Sequence, residues 1–379
     1  MAEPCLKLTI HAGERDRAGG AFLADALAAV HASHRLRISL VLRGVEGFGL
    51  KHRWHTDRLL SLSEDLPLVS VAVDRPERIR AALADVERLA FDGLVTLERA
   101  RVLEELDPAE ALDERDGRAG AAAKLTVYLG RGERAGGRPA HVAVVDALHA
   151  AGLAGATVLL GVDGTVRGQR RRARLLGRNA GVPLMVIGVG DHAAIAAALP
   201  RLAALLAQPL VTLERVQLCK RDGARLAVPA PPPGPDPTGM AVFQKLSVHL
   251  GERARRDGRP LHEALVRGLR AAGAAGATTL RGVWGFHGDH APHGDVFWEL
   301  GRRVPVLCVT VDTPAATQRA FEVIDGLTDA SGLVTCELVP AFRATAGDAN
   351  VGGLALANIA FSLALGIVAT LVGRRLGGG

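Results

Sequence analysis

Apolar and polar residues alternate from Leu6 to His11, with Leu6, Leu8 and Ile10 on one side and Lys7, Thr9 and His11 on the other. A period of two predicts a half-buried strand, because successive side chains of a strand point to opposite faces. The period then changes. Leu23, Ala26, Leu27 and Val30 recur at helical spacing and predict an amphipathic helix. A second strand is predicted over about Ile38 to Leu42, then a long polar, glycine-rich connection, then a third strand from Pro67 to Val73. Pro76 and Glu77 fit the first turn of a second helix, where a proline loses no needed N–H and a carboxylate suits the helix dipole. That helix carries Ile79, Leu83 and Val86, and a last strand runs from Leu94 to about Val102. The order is βαββαβ.

Each landmark of this unit returns twice. Lys7-Leu8-Thr9-Ile10 recurs as Lys124-Leu125-Thr126-Val127 and Lys245-Leu246-Ser247-Val248, each followed by a Gly-Glu-Arg at Gly13, Gly132 and Gly251. Leu42-Arg43-Gly44-Val45 recurs as Leu159-Leu160-Gly161-Val162 and Leu280-Arg281-Gly282-Val283. Pro67, Pro183 and Pro305 open apolar runs, and Leu94 to Glu98 recurs as Leu210 to Glu214 and Leu333 to Glu337. The chain is therefore read as three tandem copies, over 5–105, 122–220 and 242–340. The fold class is α+β, each copy a ferredoxin-like unit with both helices on one face of an antiparallel sheet. An acidic linker, Glu104 to Arg118, and a proline-rich, stiff one, Val228 to Pro237, join the copies. About 20 extended residues reach roughly 70 Å. The expectation is a pseudo-trimer, three copies of one monomeric chain around a pseudo-threefold axis.

Composition changes the picture in three respects. Apolar residues make up 48% of the chain and aromatic ones 3%, so Ala, Val and Leu must fill the cores. The net charge of +6 rests mostly on arginine and favours anionic partners, but the 40 acidic residues are interspersed with the basic ones. No basic stripe with interleaved aromatics marks a nucleic-acid binder. Cys5, Cys219, Cys308 and Cys336 lie far apart without a CxxC pair, which suits buried free thiols in a reducing compartment. The N-terminus carries no signal-peptide pattern, so the folded part is expected in the cytoplasm.

The repeated segments carry a resemblance. Leu42-Arg43-Gly44, Gly47-Phe48-Gly49, His55-Thr56 and Leu62-Ser63-Glu64-Asp65-Leu66-Pro67 in the first copy resemble the PII-like family catalogued as domain of unknown function 190. The third copy keeps Leu280-Arg281-Gly282 and Gly285-Phe286, whereas the second reads as having lost the Gly-Phe-Gly. The resemblance implies a signalling protein, not an enzyme, with no covalent cofactor, that binds a small anionic ligand such as an adenine nucleotide in clefts between copies. It implies ligand contacts at Arg43, Gly44, Gly47, Phe48, Gly49, His55, Arg281, Gly282, Gly285 and Phe286. Glycines there would let backbone N–H groups approach a phosphate, with Arg43 adding a fork of donors; ordinary turn geometry explains Gly44 and Gly47 equally well.

Other segments suggest other chemistry. His287, His290 and His293, with Asp289, are spaced as a transition-metal cluster, which would make the chain a metal-binding tolerance protein. The second copy's Arg167, Arg170, Arg171, Arg172, Arg174 and Arg178 form either a solvated face or an anion-binding arm. Gly188-Val189-Gly190-Asp191-His192-Ala193 mimics a dinucleotide fingerprint, but Asp74-Arg75-Pro76 and Asp312-Thr313-Pro314 occupy the same turn, so it reads as a strand-helix corner. No nucleophile, base and acid recur together, which leaves an enzyme acting in a cleft between copies as the weakest reading.

Gly352 to Val372 carries no charge and is long enough to span about 30 Å of hydrocarbon at 1.5 Å per residue, so 351–373 is expected to be a hydrophobic, membrane-associated helix. Asn358, Ser362, Gly366 and Thr370 draw a small-residue stripe down it. The segment is faintly similar to the last helix of the small fluoride-channel family. That similarity implies a membrane transporter or channel as the regulated partner, in fluoride or ion homeostasis. Arg374 and Arg375 would favour the cytoplasm, against a simple tail anchor.

Overall fold

The computed structural model describes residues 3–49, 55–56, 66–111, 119–173, 179–232, 234, 241–288, 291–294, 304–328 and 332–344. The expected order recurs three times. The first copy runs β1 (Glu3–Gly13), α1 (Leu23–Ser33), β2 (Ile38–Arg43), β3 (Glu46–Phe48), β4 (Pro67–Asp74), α2 (Pro76–Arg88) and β5 (Leu94–Leu103). The second runs β6 (Ala121–Gly130), α3 (Ala140–Ala150), β7 (Gly155–Leu160), β8 (Asp163–Val166), β9 (Gln169–Arg172), β10 (Pro183–Gly190), α4 (His192–Leu205) and β11 (Leu210–Arg221). The third runs β12 (Ala241–Gly251), α5 (Leu261–Ala271), β13 (Ala277–Arg281), β14 (Trp284–His287), β15 (Pro305–Asp312), α6 (Pro314–Leu327) and β16 (Leu333–Ala344).

In each copy the first strand lies between the third and the last. β1 pairs with β4 and β5, and β2 adds to β4, all antiparallel. The second copy repeats this with β6, β10, β11 and β7, the third with β12, β15, β16 and β13. The second helices start where the corner residues direct them: Asp191 accepts from Ala194 N at 2.7 Å, and Asp74 accepts from the N–H groups of Arg37 and Arg75, each at 2.8 Å. The fingerprint-like segment at Gly188 is thus a capped corner.

The short strands β3, β8 and β14 lie inside the connection expected to be irregular, and each pairs with a different copy. β3 joins β13, β8 joins β2, and β14 joins β7. The last strands link as well: β5 with β11, β11 with β16, and β16 with β5. With three two-residue strands, His55–Thr56, Ala224–Arg225 and His293–Gly294, these links join the sixteen strands into one sheet of 19 among the described residues.

That linkage corrects the half-buried reading of the first strand. Helices cover one face, where Leu8, Ile10, Leu27 and Ile79 form the first copy's own core. The opposite face is buried against the other copies: Leu40 and Val71 share a cluster with Leu159 and Met185 of the second copy and Leu280 and Val309 of the third. Lys7 and Thr9 are therefore only 8% and 5% exposed. β4 is buried at every position, the continuous apolar pattern of a strand covered on both sides.

The proline-rich linker is held down by glutamine amides. Gln217 accepts from Ala230 N at 2.9 Å, Gln244 donates to Ala230 O at 2.7 Å, and Gln318 donates to Pro229 O at 3.0 Å. The hydrophobic segment 351–373 lies outside the described residues, and among those no helix is long and apolar enough to cross a membrane.

Candidate functional site

The expected ligand residues gather where one copy meets the next, and most of their polar groups are already used. Gly44 N donates to Pro67 O at 2.7 Å, and Val45 N donates to Thr279 O of the third copy at 2.8 Å. Gly282 N and Val283 N do the same to Pro305 O and Val158 O, at 2.8 and 3.0 Å. These N–H groups hold strands together instead of forming a nest. A Cβ on Gly47 would land on Ala277 O, one on Gly285 on Ala156 O, and one on Gly164 on Ser39 O. Glycine is required there because two strands of different copies meet backbone to backbone. The second copy has accordingly kept the first glycine of the motif, as Gly164, and the reading that it had lost the whole motif is corrected.

Phe48 and Phe286 are core residues of the neighbouring copy. Phe48 is 3% exposed within the third copy's cluster, and Phe286 is 1% exposed within the second copy's, edge-on to His149 at 4.8 Å between ring centroids. Thr165 fills the equivalent place in the first copy, its hydroxyl donating to Leu36 O at 3.1 Å and lying 3.0 Å from Ser39 Oγ. Gly49 is exposed with open space around it. His55 lies on a two-residue strand opposite Gly47.

Arg43 and Arg281 are the exceptions, since both reach solvent. Arg43 Nη2 meets Glu14 at 2.8 Å, and Arg281 Nε meets Glu252 at 2.9 Å. Their side chains are 54% and 30% exposed. In the second copy both members change together. Leu160 stands for the arginine, and Arg131, whose N–H donates to Val182 O as Glu252 N does to Val304 O, stands for the glutamate. The strand register therefore aligns Gly130, not Gly132, with Gly13 and Gly251.

The deepest shared feature lies on the polar side of the first strands. Lys7 pairs in register with Glu98, Lys124 with Glu214, and Lys245 with Glu337. Within the copies these pairs measure 3.0, 3.2 and 3.2 Å between nitrogen and oxygen. Each lysine also reaches the glutamate of the next copy: Lys7 to Glu214 at 3.1 Å, Lys124 to Glu337 at 2.5 Å and Lys245 to Glu98 at 2.6 Å. The six side chains close a ring of alternating charge. Burial alone would raise the Glu98 carboxyl, but Lys245, Lys7 and Lys124 reverse that and hold it well below its ordinary value; Glu337 is lowered in the same way by Lys124 and Lys245. Burial would lower Lys7 and Lys245, and the surrounding glutamates raise both instead. At Lys124 burial wins, and its ammonium loses its proton more readily than a free lysine.

Glu98, Glu214 and Glu337 bring carboxylate oxygens within 4.8 Å of one another, a spacing a metal ion could use. The three interleaved ammoniums already neutralise them, so the donor set fits a salt ring better than a metal centre.

The histidine cluster is partly assembled. His287 is buried, and its ring centroid lies 6.4 Å from that of His293. His290 lies outside the described residues. His249, on the strand beside them, is held neutral by burial and then by His287, its pKa lowered to about 4. Of the arginine run, Arg170 meets Asp163 at 2.6 Å and Asp25 of the first copy at 3.4 Å, and Arg172 meets Asp25 at 2.8 Å. These two arginines tie copies together. Arg174 and Arg178 lie outside the described residues. All four cysteines are buried free thiols.

Among solved structures, an aspartate kinase from Synechocystis is similar to the chain at 13% identity and a TM-score of 0.24. The match covers 89% of this chain and 44% of that one, and carries no argument about fold or function. The family comparison is decisive: the model of domain of unknown function 190, described as an uncharacterised ACR family, matches over 5–102, 122–218 and 243–341. The chain belongs to that family, as three successive copies of its domain.

Proposed function

We propose that the chain is a PII-like regulator in which three ferredoxin-like copies form a pseudo-trimer, and that it binds a small anion such as an adenine nucleotide at the junctions of copies one and three. It acts by binding, without a catalytic step. The closed lysine-glutamate ring supports the pseudo-threefold arrangement, because each copy contributes one lysine and one glutamate in cyclic order.

The observation that carries the ligand reading is the pair of exposed arginines. Arg43, 54% exposed, meets Glu14, and Arg281, 30% exposed, meets Glu252. An exposed ion pair such as that of Arg43 is worth about 0–1 kcal/mol, so a phosphate can displace Glu14 at little cost, and the arginine fork matches it in two-point geometry. The loop glycines do not enter this reading, since they serve strand contact between copies. Calorimetry of the full-length chain with ATP, ADP and AMP tests it. Two sites per chain are expected, with Arg43→Ala and Arg281→Ala each removing one. Three equivalent sites, or no binding of any adenine nucleotide, would overturn it.

The regulated target in this proposal is a membrane transporter or channel, met through segment 351–373 while the copies remain in the cytoplasm. A second reading, a metal-binding tolerance protein, draws on the approach of His287 to His293. Titration with Cu²⁺ and Zn²⁺ in the same experiment separates the two, because tight metal binding abolished by His287→Ala without nucleotide binding favours the second.

A further inference from the structure

The second copy lends the first more than one crossing strand. β8 adds to β2, and β9 turns back beside β8, so the first copy's sheet ends in β9. The turn between them is two residues, Arg167 and Gly168, with φ of 50° and 76°, the left-handed pair that closes a tight hairpin. Among the described residues the matching outer strands of the other copies, His55–Thr56 and His293–Gly294, are two residues long, whereas β9 has four. Arg170 and Arg172 fasten β9 to α1 through Asp25, at 3.4 and 2.8 Å.

Among the described residues β9 pairs with β8 alone. In a two-residue hairpin the residues beside the turn exchange hydrogen bonds, and bonded pairs alternate from there. Gln169, Arg171 and Ala173 therefore face β8, and Ala173 N donates to Val162 O at 2.9 Å. The N–H and C=O of Arg170 and Arg172 point the other way, along an edge that is a template for another extended chain. Gln169, Arg171 and Arg172 are exposed along it. The sequence sets the charge of what fits there. Between Asp163 and Asp191 stand six arginines and no Asp or Glu. Asp163 and Asp25 engage Arg170 and Arg172, which leaves a surplus of positive charge, with Arg167 and Arg171 exposed. A phosphate or a lipid headgroup suits the arginines and leaves the outward carbonyls unmet. An extended acidic peptide offers N–H groups to the carbonyls and carboxylates to the arginines.

We propose that β9 takes up an extended, acidic segment of a partner protein as the next strand of the first copy's sheet. Main-chain hydrogen bonds to Arg170 and Arg172 hold the segment, and Arg167 and Arg171 select acidic sequences. Titration of the full-length chain with a labelled peptide of alternating glutamate and valine, read by anisotropy and amide exchange, tests it. Binding should weaken with salt and slow exchange at Arg170 and Arg172, and a peptide of alternating lysine and valine should not bind. Arg172→Pro removes one outward N–H where an edge strand tolerates proline. Arg172→Ala loses the same contact with Asp25 but keeps the N–H. The proline variant should bind about three- to tenfold more weakly than the alanine variant. Arg171→Glu should also weaken binding, by charge alone. Equal affinity of the two Arg172 variants, unchanged exchange along β9, equal binding of the lysine peptide, or no binding would overturn the proposal; the last would show that the arginines only guard the edge against self-pairing. Should Arg172→Pro fail to fold, Arg171→Glu and the exchange pattern decide.

Discussion

Lys245 and Glu98 stand 147 residues apart in the chain and 2.6 Å apart in space, joining the last copy to the first. Both side chains are almost wholly buried, at 9% and 3% exposed. Such a pair is stable only with its partners in place, because desolvation of each charge must be offset by the opposite one. The ring is thus a test of correct assembly: a copy out of place leaves a buried charge without its counterion.

Glu98→Gln should lower the unfolding free energy by about 3–5 kcal/mol, since it leaves Lys7 and Lys245 each short of a carboxylate. Asp146→Asn, which weakens an exposed contact with Arg138, should cost no more than about 1 kcal/mol. Urea denaturation of both variants compares them directly.

Gly164→Ala should destabilise the contact between the first and second copies by about 1–3 kcal/mol, because the added methyl falls on Ser39 O. Amide exchange should quicken at Ser39 to Val41 and Asp163 to Thr165, where β2 and β8 pair, and leave the pairing of β12 with β16 protected. Unchanged exchange along β2 would show that the glycine serves another purpose.

Phe286→Ala should cost about 3–5 kcal/mol, the usual range for a buried phenylalanine, although Phe286 lies in the copy whose neighbour it stabilises. A ligand-contact role predicts instead a normal urea midpoint with weakened nucleotide affinity.

Stability should fall as pH drops from 6.5 toward 4. Burial lowers His31, His249 and His11 from 6.5 to about 4, with His34 acting on the first, His287 and Lys124 on the second, and Lys245 and Lys7 on the third. The folded chain keeps these rings neutral while the unfolded chain takes up protons below 6.5, so the stabilisation is complete above 6.5 and is lost on acidification. Glu98 and Glu337, lowered from 4.5, extend the loss below that value. Urea midpoints at several pH values measure the slope, and His31→Leu should flatten it.

Much of the fold was legible because the repeat supplied three readings of each element. Pro76 at a helix start, Pro67 at a strand start and the Lys7 strand all lie where the pattern put them. The ring residues were visible as landmarks, Lys7 opening one repeated segment and Glu98 closing another. Their cyclic exchange between copies was not legible, since alternation within a strand says nothing of what covers its polar face. The same limit misled the reading of Phe48, Phe286 and the loop glycines. Glycine beside an aromatic fits a ligand loop and a strand crossing equally well, and only the neighbouring carbonyl distinguishes them.

A double-mutant cycle on Lys245 and Glu98, with Lys245→Met, Glu98→Met and the two combined, measures the closure of the three copies most directly. Urea unfolding free energies should show a coupling of at least about 1 kcal/mol between the two sites, as contacting buried charges do. Additivity within about 0.5 kcal/mol, the behaviour of distant sites, would mean that the ring does not close between Lys245 and Glu98.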